Sequence, residues 1–142
     1  MYLLDTNIVS ELMQEQPSTV VSEWVFGIPT NLIYYSAISE AELRYGAEIL
    51  PSGKRRDSLI TRIDRMLQEA FENRILPFDT LAAKSYASIA GMRRSAGRPI
   101  SLLDCQIAAI AESRDLTLVT RNTRDFTDVG ISLINPWNQF NT

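Results

Sequence analysis

The chain has 142 residues and a net charge of -3, with 45% hydrophobic and 22% charged residues, as in an ordinary globular domain with one core. It contains no histidine and only one cysteine, Cys105, which excludes histidine-based catalysis, an internal disulfide and a zinc site built from cysteine and histidine. A metal site in this chain must therefore use oxygen ligands and hold a hard cation.

The sequence predicts a single cytoplasmic domain spanning residues 1–142. No internal repeat or Pro/Gly/Ser-rich linker divides the chain. No apolar run approaches the roughly 20 residues that a membrane span requires. The N-terminus has no basic segment of the secretory type, and we expect no association with a membrane.

Short apolar segments alternate with longer segments of helical periodicity, which predicts an α/β fold with a mainly parallel central sheet. Pro77 disfavours a central ladder position for the third strand. The predicted strands are Tyr2–Leu4, Leu32–Tyr35, Ile75–Phe78, Leu116–Thr120 and Ile131–Ile134.

Helices are predicted in the intervening segments from apolar spacing and from capping residues. The first three are Thr6–Met13, a helix capped by Ser18, and a helix from Ser39 to Glu48. The remaining three are Lys54–Glu72, a helix from the cap Asp79 to Ser95, and a helix from the cap Ser101 to Ser113.

Four carboxylates follow predicted strands or occupy the first turns of the helices after them: Asp5, Glu42, Asp104 and Asp125. Loops at the carboxyl ends of parallel strands form the binding crevice of such sheets, and crossovers are right-handed, so we expect at least three of these acids on one rim. Carboxylates gathered there would repel one another without a cation. The pattern therefore predicts a Mg²⁺ site, with Mn²⁺ as a possible substitute.

Each acid also has a purely structural explanation. Ser39 and Glu42 match a helix capping box, and Asp104 lies where the helix dipole favours a negative charge. Asp5 can cap the first helix, and Asp125 can form a local turn. Taken singly, the structural explanations are favoured, whereas the four acids together favour a metal site.

Two further groups of side chains are candidates for the same site. Small polar residues beside the acids can orient carboxylates or hold water: Thr6, Asn7, Thr120 and Asn122. The segment from Arg44 to Arg98 carries 11 basic and 6 acidic residues, whereas the rest of the chain carries 3 and 11. Guanidinium groups bind phosphate in a bidentate fork. The candidates for holding a nucleic-acid backbone are Arg44, Arg55, Arg56 and Arg98, and the alternative for them is a solvated helical face.

Four segments, in order along the chain, resemble the motifs of PIN domains. They are Leu3–Asn7, Ser39–Gly46, Ser101–Asp104 and Leu118–Phe126. The resemblance covers nearly the whole chain and is to toxins of the VapC type. Two more segments, Arg74–Asp79 and Asn135–Trp137, are similar to the FitB-like branch in particular.

The resemblance implies a single PIN domain, a three-layer α/β/α fold with a mainly parallel sheet. It also implies a Mg²⁺-dependent endoribonuclease, the toxin of a type II toxin–antitoxin system, that hydrolyses RNA phosphodiester bonds. A homodimer and a cognate VapB-type antitoxin, which blocks the site in a hetero-oligomer, are implied as partners. Trp24 and Trp137 could lie on either of these interfaces, although core packing is the favoured use of both.

The site residues implied by the resemblance are Asp5, Glu42 and Asp104, which match the metal-binding acids of the family. Some PIN domains have an aspartate at the position of Asn122. Others have an acid three residues later, at the position of Asp125. We assign the fourth acidic position to Asp125 and leave Asn122 as a neutral ligand or substrate contact. Whether one or two metal ions bind stays open.

Other protein classes fit the sequence less well. A receiver-type phospho-acceptor needs an acidic pair before its acceptor and a late lysine, and a dehalogenase-type phosphatase needs Asp at the position of Asn7. A catalytically inert PIN-like module that binds nucleic acid or protein is the remaining alternative. The intact acids in all four motifs disfavour it.

Overall fold

A parallel sheet forms the centre of the molecule in the computed structural model, which describes residues 1–138. Its strands are β1 (Tyr2–Leu4), β2 (Ile33–Ser36), β3 (Ile75–Leu76), β4 (Thr117–Val119) and β5 (Leu133–Ile134). They are arranged in the order β3-β2-β1-β4-β5. Every neighbouring pair is parallel, as the sequence predicts.

Six α-helices connect the strands. They are α1 (Thr6–Leu12), α2 (Thr19–Phe26), α3 (Ala37–Glu48), α4 (Lys54–Phe71), α5 (Thr80–Ser95) and α6 (Leu102–Ser113). Short 3-10 turns are formed by Thr30–Leu32, Thr123–Phe126 and Pro136–Asn138. Within residues 1–138, none of the helices has the length and apolar character needed to cross a bilayer.

The sheet is covered on both faces, because successive side chains of a strand point to opposite sides. Leu3 and Leu118 pack with buried residues of α5 and α6 in one cluster. Leu4 and Val119, the next residue in each strand, pack with buried residues of α1, α2 and α4 in the other. The predicted three-layer α/β/α architecture is therefore confirmed.

Helix α6 is the most deeply buried helix among the described residues, and its position determines where Asp104 lies. Residues Ile107–Ala111 are all buried, and three of the five are alanines. Small side chains let the helix approach α5 and the sheet closely, so its axis has little freedom to shift. The N-terminus of α6, and with it Asp104, is thereby held in place.

The junction between β2 and α3 differs from the sequence prediction. The strand ends at Ser36, which is also the N-cap of α3, and its Oγ accepts a hydrogen bond from the Ser39 N–H at 2.9 Å. Ser39 is a buried residue inside the helix, not its cap. The predicted start of the helix at Ser39 is therefore wrong, the alternative of a capping box between Ser39 and Glu42 does not apply, and Glu42 lies in the second turn.

The central position of β1 creates a topological switch point. The chain adds β2 and β3 on one side of β1 and then places β4 and β5 on the other. In open α/β sheets, the crevice outside the carboxyl ends of strands at such a point is the usual binding site. Here that crevice lies beyond Leu4 and Val119.

Candidate active site

Asp5 lies at the switch point, immediately after β1. Its backbone N–H donates to the Val119 carbonyl at 2.9 Å, which extends the pairing of β1 with β4 by one residue. It is also the N-cap of α1, and its Oδ1 accepts a hydrogen bond from the Thr6 N–H at 2.7 Å. The capping role and the site role therefore belong to one residue, whose side chain is almost fully buried.

A network of small polar side chains holds the second oxygen of Asp5. The Thr120 hydroxyl donates to Asp5 Oδ2 at 2.8 Å and accepts hydrogen bonds from the Asn7 side chain at 3.3 Å and from the Asn122 N–H at 3.1 Å. The Asn7 amide also approaches Asp5 Oδ2, at 3.4 Å. Both carboxylate oxygens of Asp5 are thus oriented by groups from the ends of β1 and β4.

Glu42 reaches the same place from α3. Its Oε1 accepts a hydrogen bond from the Thr6 hydroxyl at 3.0 Å, while the Thr6 N–H binds Asp5. Thr6 therefore joins the two carboxylates through its backbone and its side chain. The predicted proximity of Asp5 and Glu42 is observed, although Glu42 enters one helical turn later than expected.

Asp104 lies in the first turn of α6, as predicted. Its backbone N–H donates to the Ser101 Oγ at 3.3 Å, which is the N-cap hydrogen bond of that helix. Its side chain is half-buried. The helix N-terminus favours a negative charge at this position.

An open cavity of about 410 Å³ joins these three acids. Asp5, Glu42 and Asp104 all line it. The other residues that line the cavity are mostly polar: Thr6, Asn7, Ser10, Glu11, Gln14, Arg121, Asn122 and Trp137. The cavity is therefore strongly acidic and accessible to solvent.

The fourth predicted acid is not part of this cavity. Asp125 is exposed on the 3-10 turn Thr123–Phe126, whereas Asn122, at the start of that turn, lines the cavity. Asp125 is nevertheless near enough for its charge to raise the pKa of Asp104. The structure thus brings three of the four predicted acids together, with Asn122 and a further acid, Glu11, lining the same cavity.

A buried arginine, which the sequence analysis did not single out, anchors the segment that carries Asp125. Arg93 on α5 is 6% exposed. Its Nε donates to the Arg98 carbonyl at 2.6 Å, and its Nη1 donates to the carbonyls of Asp125 and Thr127 at 3.3 and 3.1 Å. Arg93 therefore ties α5 to the loops on both sides of Asp104.

The pKa of the buried Asp5 carboxyl group shows that its charged form is disfavoured in the metal-free site. Burial raises the pKa of Asp5 to about 6, and the charges of Asp104 and Glu42 raise it as well, whereas hydrogen bonds from Thr120 and Thr6 lower it. Burial is also the main reason why the pKa of Asp104 is raised. A cation in the cavity would favour the charged form of both groups and relieve this penalty.

The donor set fits a hydrated hard cation more closely than a fully enclosed one. Among residues 1–138, no three acidic side chains lie close enough together to enclose a metal ion unaided. Mg²⁺ keeps several of its waters and binds one or two carboxylates together with substrate phosphate. Four carboxylates line the open cavity, those of Asp5, Glu11, Glu42 and Asp104, and they suit that mode of binding, with water completing the coordination.

The candidate backbone-binding arginines are mostly engaged with acids. Arg44 pairs with Glu40 at 2.8 Å and with Asp64 at 2.7 Å. Arg56 pairs with Glu48, and Arg98 pairs with Asp128 at 2.8 Å. Arg55 is exposed and lines a larger groove of about 940 Å³ that also contains Thr6 and Glu42. Of the four, Arg55 is the one that shares a groove with a site acid.

Both tryptophans contribute to packing, and one also reaches the cavity. Trp24 makes an edge-to-face contact with Tyr2, with ring centroids 5.5 Å apart. Trp137 packs against the cluster on the α1, α2 and α4 side and lines the cavity as well. The sequence did not indicate that Trp137 and Arg121 line the cavity, although both lie in the segments that carry the family resemblance.

Comparison with known proteins gives a consistent result. A model of the PIN domain family matches residues 2–131. The chain is 39% identical over 137 residues to Toxin FitB of Neisseria gonorrhoeae, covering 96% of this chain and 99% of that protein. It is 38% identical over 137 residues to a VapC ribonuclease of Sinorhizobium fredii, covering 96% and 98% of the two chains.

A solved structure shows the same fold over the same length. The crystal structure of FitAcB from Neisseria gonorrhoeae superposes with a TM-score of 0.91 and 39% identity, covering 96% of this chain and 99% of that chain. The similarity therefore includes every strand and helix that contributes to the cavity.

Proposed function

The chain belongs to the PIN-domain family, and from that premise we propose that it is a metal-dependent endoribonuclease acting as the toxin of a type II toxin–antitoxin pair, with residues 1–142 as one PIN domain. The observation that carries the proposal is the acidic cavity at the switch point, lined by Asp5, Glu42 and Asp104 in a chain without histidine. A cluster of carboxylates of this kind suits metal-assisted hydrolysis of a phosphodiester.

PIN-domain nucleases generally use divalent metal ions. We propose Mg²⁺, with Mn²⁺ as a substitute; Asp5 and Asp104 would chiefly hold the ion, and Glu42 would contribute directly or through water. When bound, the ion supplies activation of a water molecule and neutralises charge on the phosphate. Thr6, Asn7 and Thr120 keep the Asp5 carboxylate in one orientation, in which it would be ready to hold the ion.

The fourth position has two candidates with different roles. Asn122 lines the cavity and offers a neutral oxygen ligand or a substrate contact. Asp125 is outside the cavity lining but close enough to influence the charge of Asp104. We propose that Asp125 acts at a second ion recruited with RNA or through water, so its removal should slow cleavage less than removal of Asp5.

The names of the relatives also support the proposed partners. A relative that covers the same length is called a toxin, and a solved neighbour is a FitAcB structure. We propose that this chain forms a homodimer and is inhibited by a cognate antitoxin that occupies the acidic cavity. We propose that it acts in the cytoplasm, where RNA would be available to it.

The direct test is cleavage of an unstructured RNA by purified protein. We expect cleavage with millimolar Mg²⁺ or Mn²⁺ and no cleavage with excess chelator. Adding the metal back should restore the activity. Metal-dependent RNA binding without cleavage would instead identify the chain as an inert PIN-like binding module.

The buried carboxylate predicts a specific dependence of stability on pH in metal-free protein. The pKa of Asp5 is raised to about 6 from 3.8, so its contribution to stability is complete below about pH 4 and is lost as the pH rises through 6. In chelator, we expect wild type and Asp5→Asn to have similar unfolding free energies near pH 4. At pH 7 the variant should be more stable by up to about 3 kcal/mol.

Chemical denaturation of both proteins across this range measures the difference, and addition of metal provides the control. Millimolar Mg²⁺ at pH 7 should stabilise the wild type by mass action and leave Asp5→Asn nearly unchanged. If the unfolding free energies of the two metal-free proteins changed with pH in the same way, burial of the charged Asp5 side chain would not destabilise the fold.

A further inference from the structure

An arginine and a tryptophan form a preorganised pair at the wall of the acidic cavity. Arg121, two residues beyond β4, places its guanidinium carbon 4.7 Å from the centre of the Trp137 ring. Both residues line the cavity, and Arg121 is the one basic residue among those that do. A guanidinium over an indole face is held by a cation–π attraction.

Backbone contacts fix this pair relative to the carboxylates. The Arg121 N–H donates to Asn7 Oδ1 at 3.2 Å, and the amide of Asn7 approaches Asp5. Asn135 donates to the Arg121 carbonyl at 3.3 Å and accepts from the Trp137 N–H at 3.0 Å. Asn135 therefore sets the spacing between Arg121 and Trp137, and Asn7 connects Arg121 to Asp5.

The charge of Arg121 is also available. Arg44, Arg56 and Arg98 each neutralise an acid on the surface. Arg121 takes part in no ion pair within the described part of the chain, residues 1–138. A stacked guanidinium keeps its N–H edge exposed, and that edge matches two phosphate oxygens in a bidentate fork.

We propose that Arg121, stacked on Trp137, is the anchor for an RNA phosphate in the cavity, next to the phosphodiester that is cut. The inference rests on the proposed nuclease function. A cavity lined by Asp5, Glu42 and Asp104 repels a polyanion, and a fixed cation on its wall offsets that repulsion and sets the position of the strand. Arg121 is thus a substrate-positioning residue, and Trp137 acts through it.

The test compares Arg121→Gln with Arg124→Gln, a matched control three residues away whose side chain is exposed and does not line the cavity. Steady-state cleavage of a short single-stranded RNA should show KM raised about tenfold by Arg121→Gln with kcat little changed, since a charged hydrogen bond of this kind is lost. Arg124→Gln should retain wild-type values. Arg121→Lys should fall between them, because it keeps the charge and loses the fork.

RNA binding in an Asp5→Asn background gives a readout that does not depend on cleavage. The slope of log affinity against log salt should decrease by about one on adding Arg121→Gln, as expected when one phosphate contact is removed. Trp137→Leu should weaken binding while Arg121 is present and have no further effect on KM in the Arg121→Gln protein. Thermal melting controls for loss of folding.

The outcomes separate this inference from the proposed function. A wild type that binds RNA but never cuts it contradicts the nuclease proposal, while a salt slope reduced by Arg121→Gln still supports the anchor. Cleavage by wild type together with unchanged KM and slope in Arg121→Gln overturns the anchor and leaves the nuclease intact. Equal effects of Arg121→Gln and Arg124→Gln would reduce the role to general surface charge and also overturn it.

Discussion

The Asp5→Asn variant is expected to cut RNA about a thousandfold more slowly than wild type or not detectably, a loss of about 4 kcal/mol of transition-state stabilisation. The reason is that Asp5 is the one acid of the site with both oxygens oriented by neighbours, Thr6 on one side and Thr120 on the other. Asparagine preserves the size of the side chain and the helix cap but removes the charge that would hold the ion. Initial rates at saturating Mg²⁺ measure the effect.

Companion variants make the assignment specific. Asp104→Asn should be nearly as severe, and Asp125→Asn should be milder because Asp125 does not line the cavity. Asp115→Asn is the matched control, since Asp115 is exposed and its φ of 54° is a conformation that asparagine also tolerates. Wild-type activity in either Asp5→Asn or Asp104→Asn at saturating metal would refute the metal site.

Expression of the wild-type chain alone is expected to arrest bacterial growth and lower colony counts by orders of magnitude. One nuclease molecule that turns over about once per second cuts on the order of a thousand RNA molecules per generation, so a few copies per cell are enough to stop growth. Coexpression of a cognate antitoxin should restore growth. An arginine inserted by such a partner can pair with the acids of the cavity and displace the metal.

The decisive comparison is growth with wild type against growth with Asp5→Asn at matched protein levels. The Asp115→Asn control should be as toxic as wild type, because it keeps the cavity intact. Equal toxicity of wild type and Asp5→Asn would rule out a nuclease toxin. Harmlessness of all three proteins would favour a binding module without catalysis.

Local sequence rules predicted most of the fold because they depend on neighbours along the chain. The caps Ser18, Asp79 and Ser101 accept the hydrogen bonds expected of them. The β2–α3 junction was misplaced because two serines there are equally good caps by sequence. The choice depends on the sheet, in which Ser36 continues β2 and pairs with Leu76 of β3.

Three acids of the cavity were also predictable, since Asp5 follows a strand, Asp104 lies in the first turn of a helix and Glu42 lies in the helix after a strand, whereas Glu11 was not singled out. Several contacts of the basic residues were not predictable, because they join distant parts of the chain. Arg93 donates to the nearby Arg98 carbonyl, but also to the carbonyls of Asp125 and Thr127, more than 30 residues away. Similarly, the contact between Arg121 and Trp137 depends on β5 returning the chain to the end of β4.

The position of β1 between β2 and β4 also determines at which stage of translation the candidate active site can be complete. Thr120, which orients Asp5, is the residue after β4, and β4 is the neighbour that completes the pairing of β1. A nascent chain that stops before residue 117 therefore has its first aspartate unsupported and one edge of its central strand open. The ribosome must therefore translate β4 before the surroundings of Asp5 are complete, and we expect chains truncated before residue 117 to be inactive.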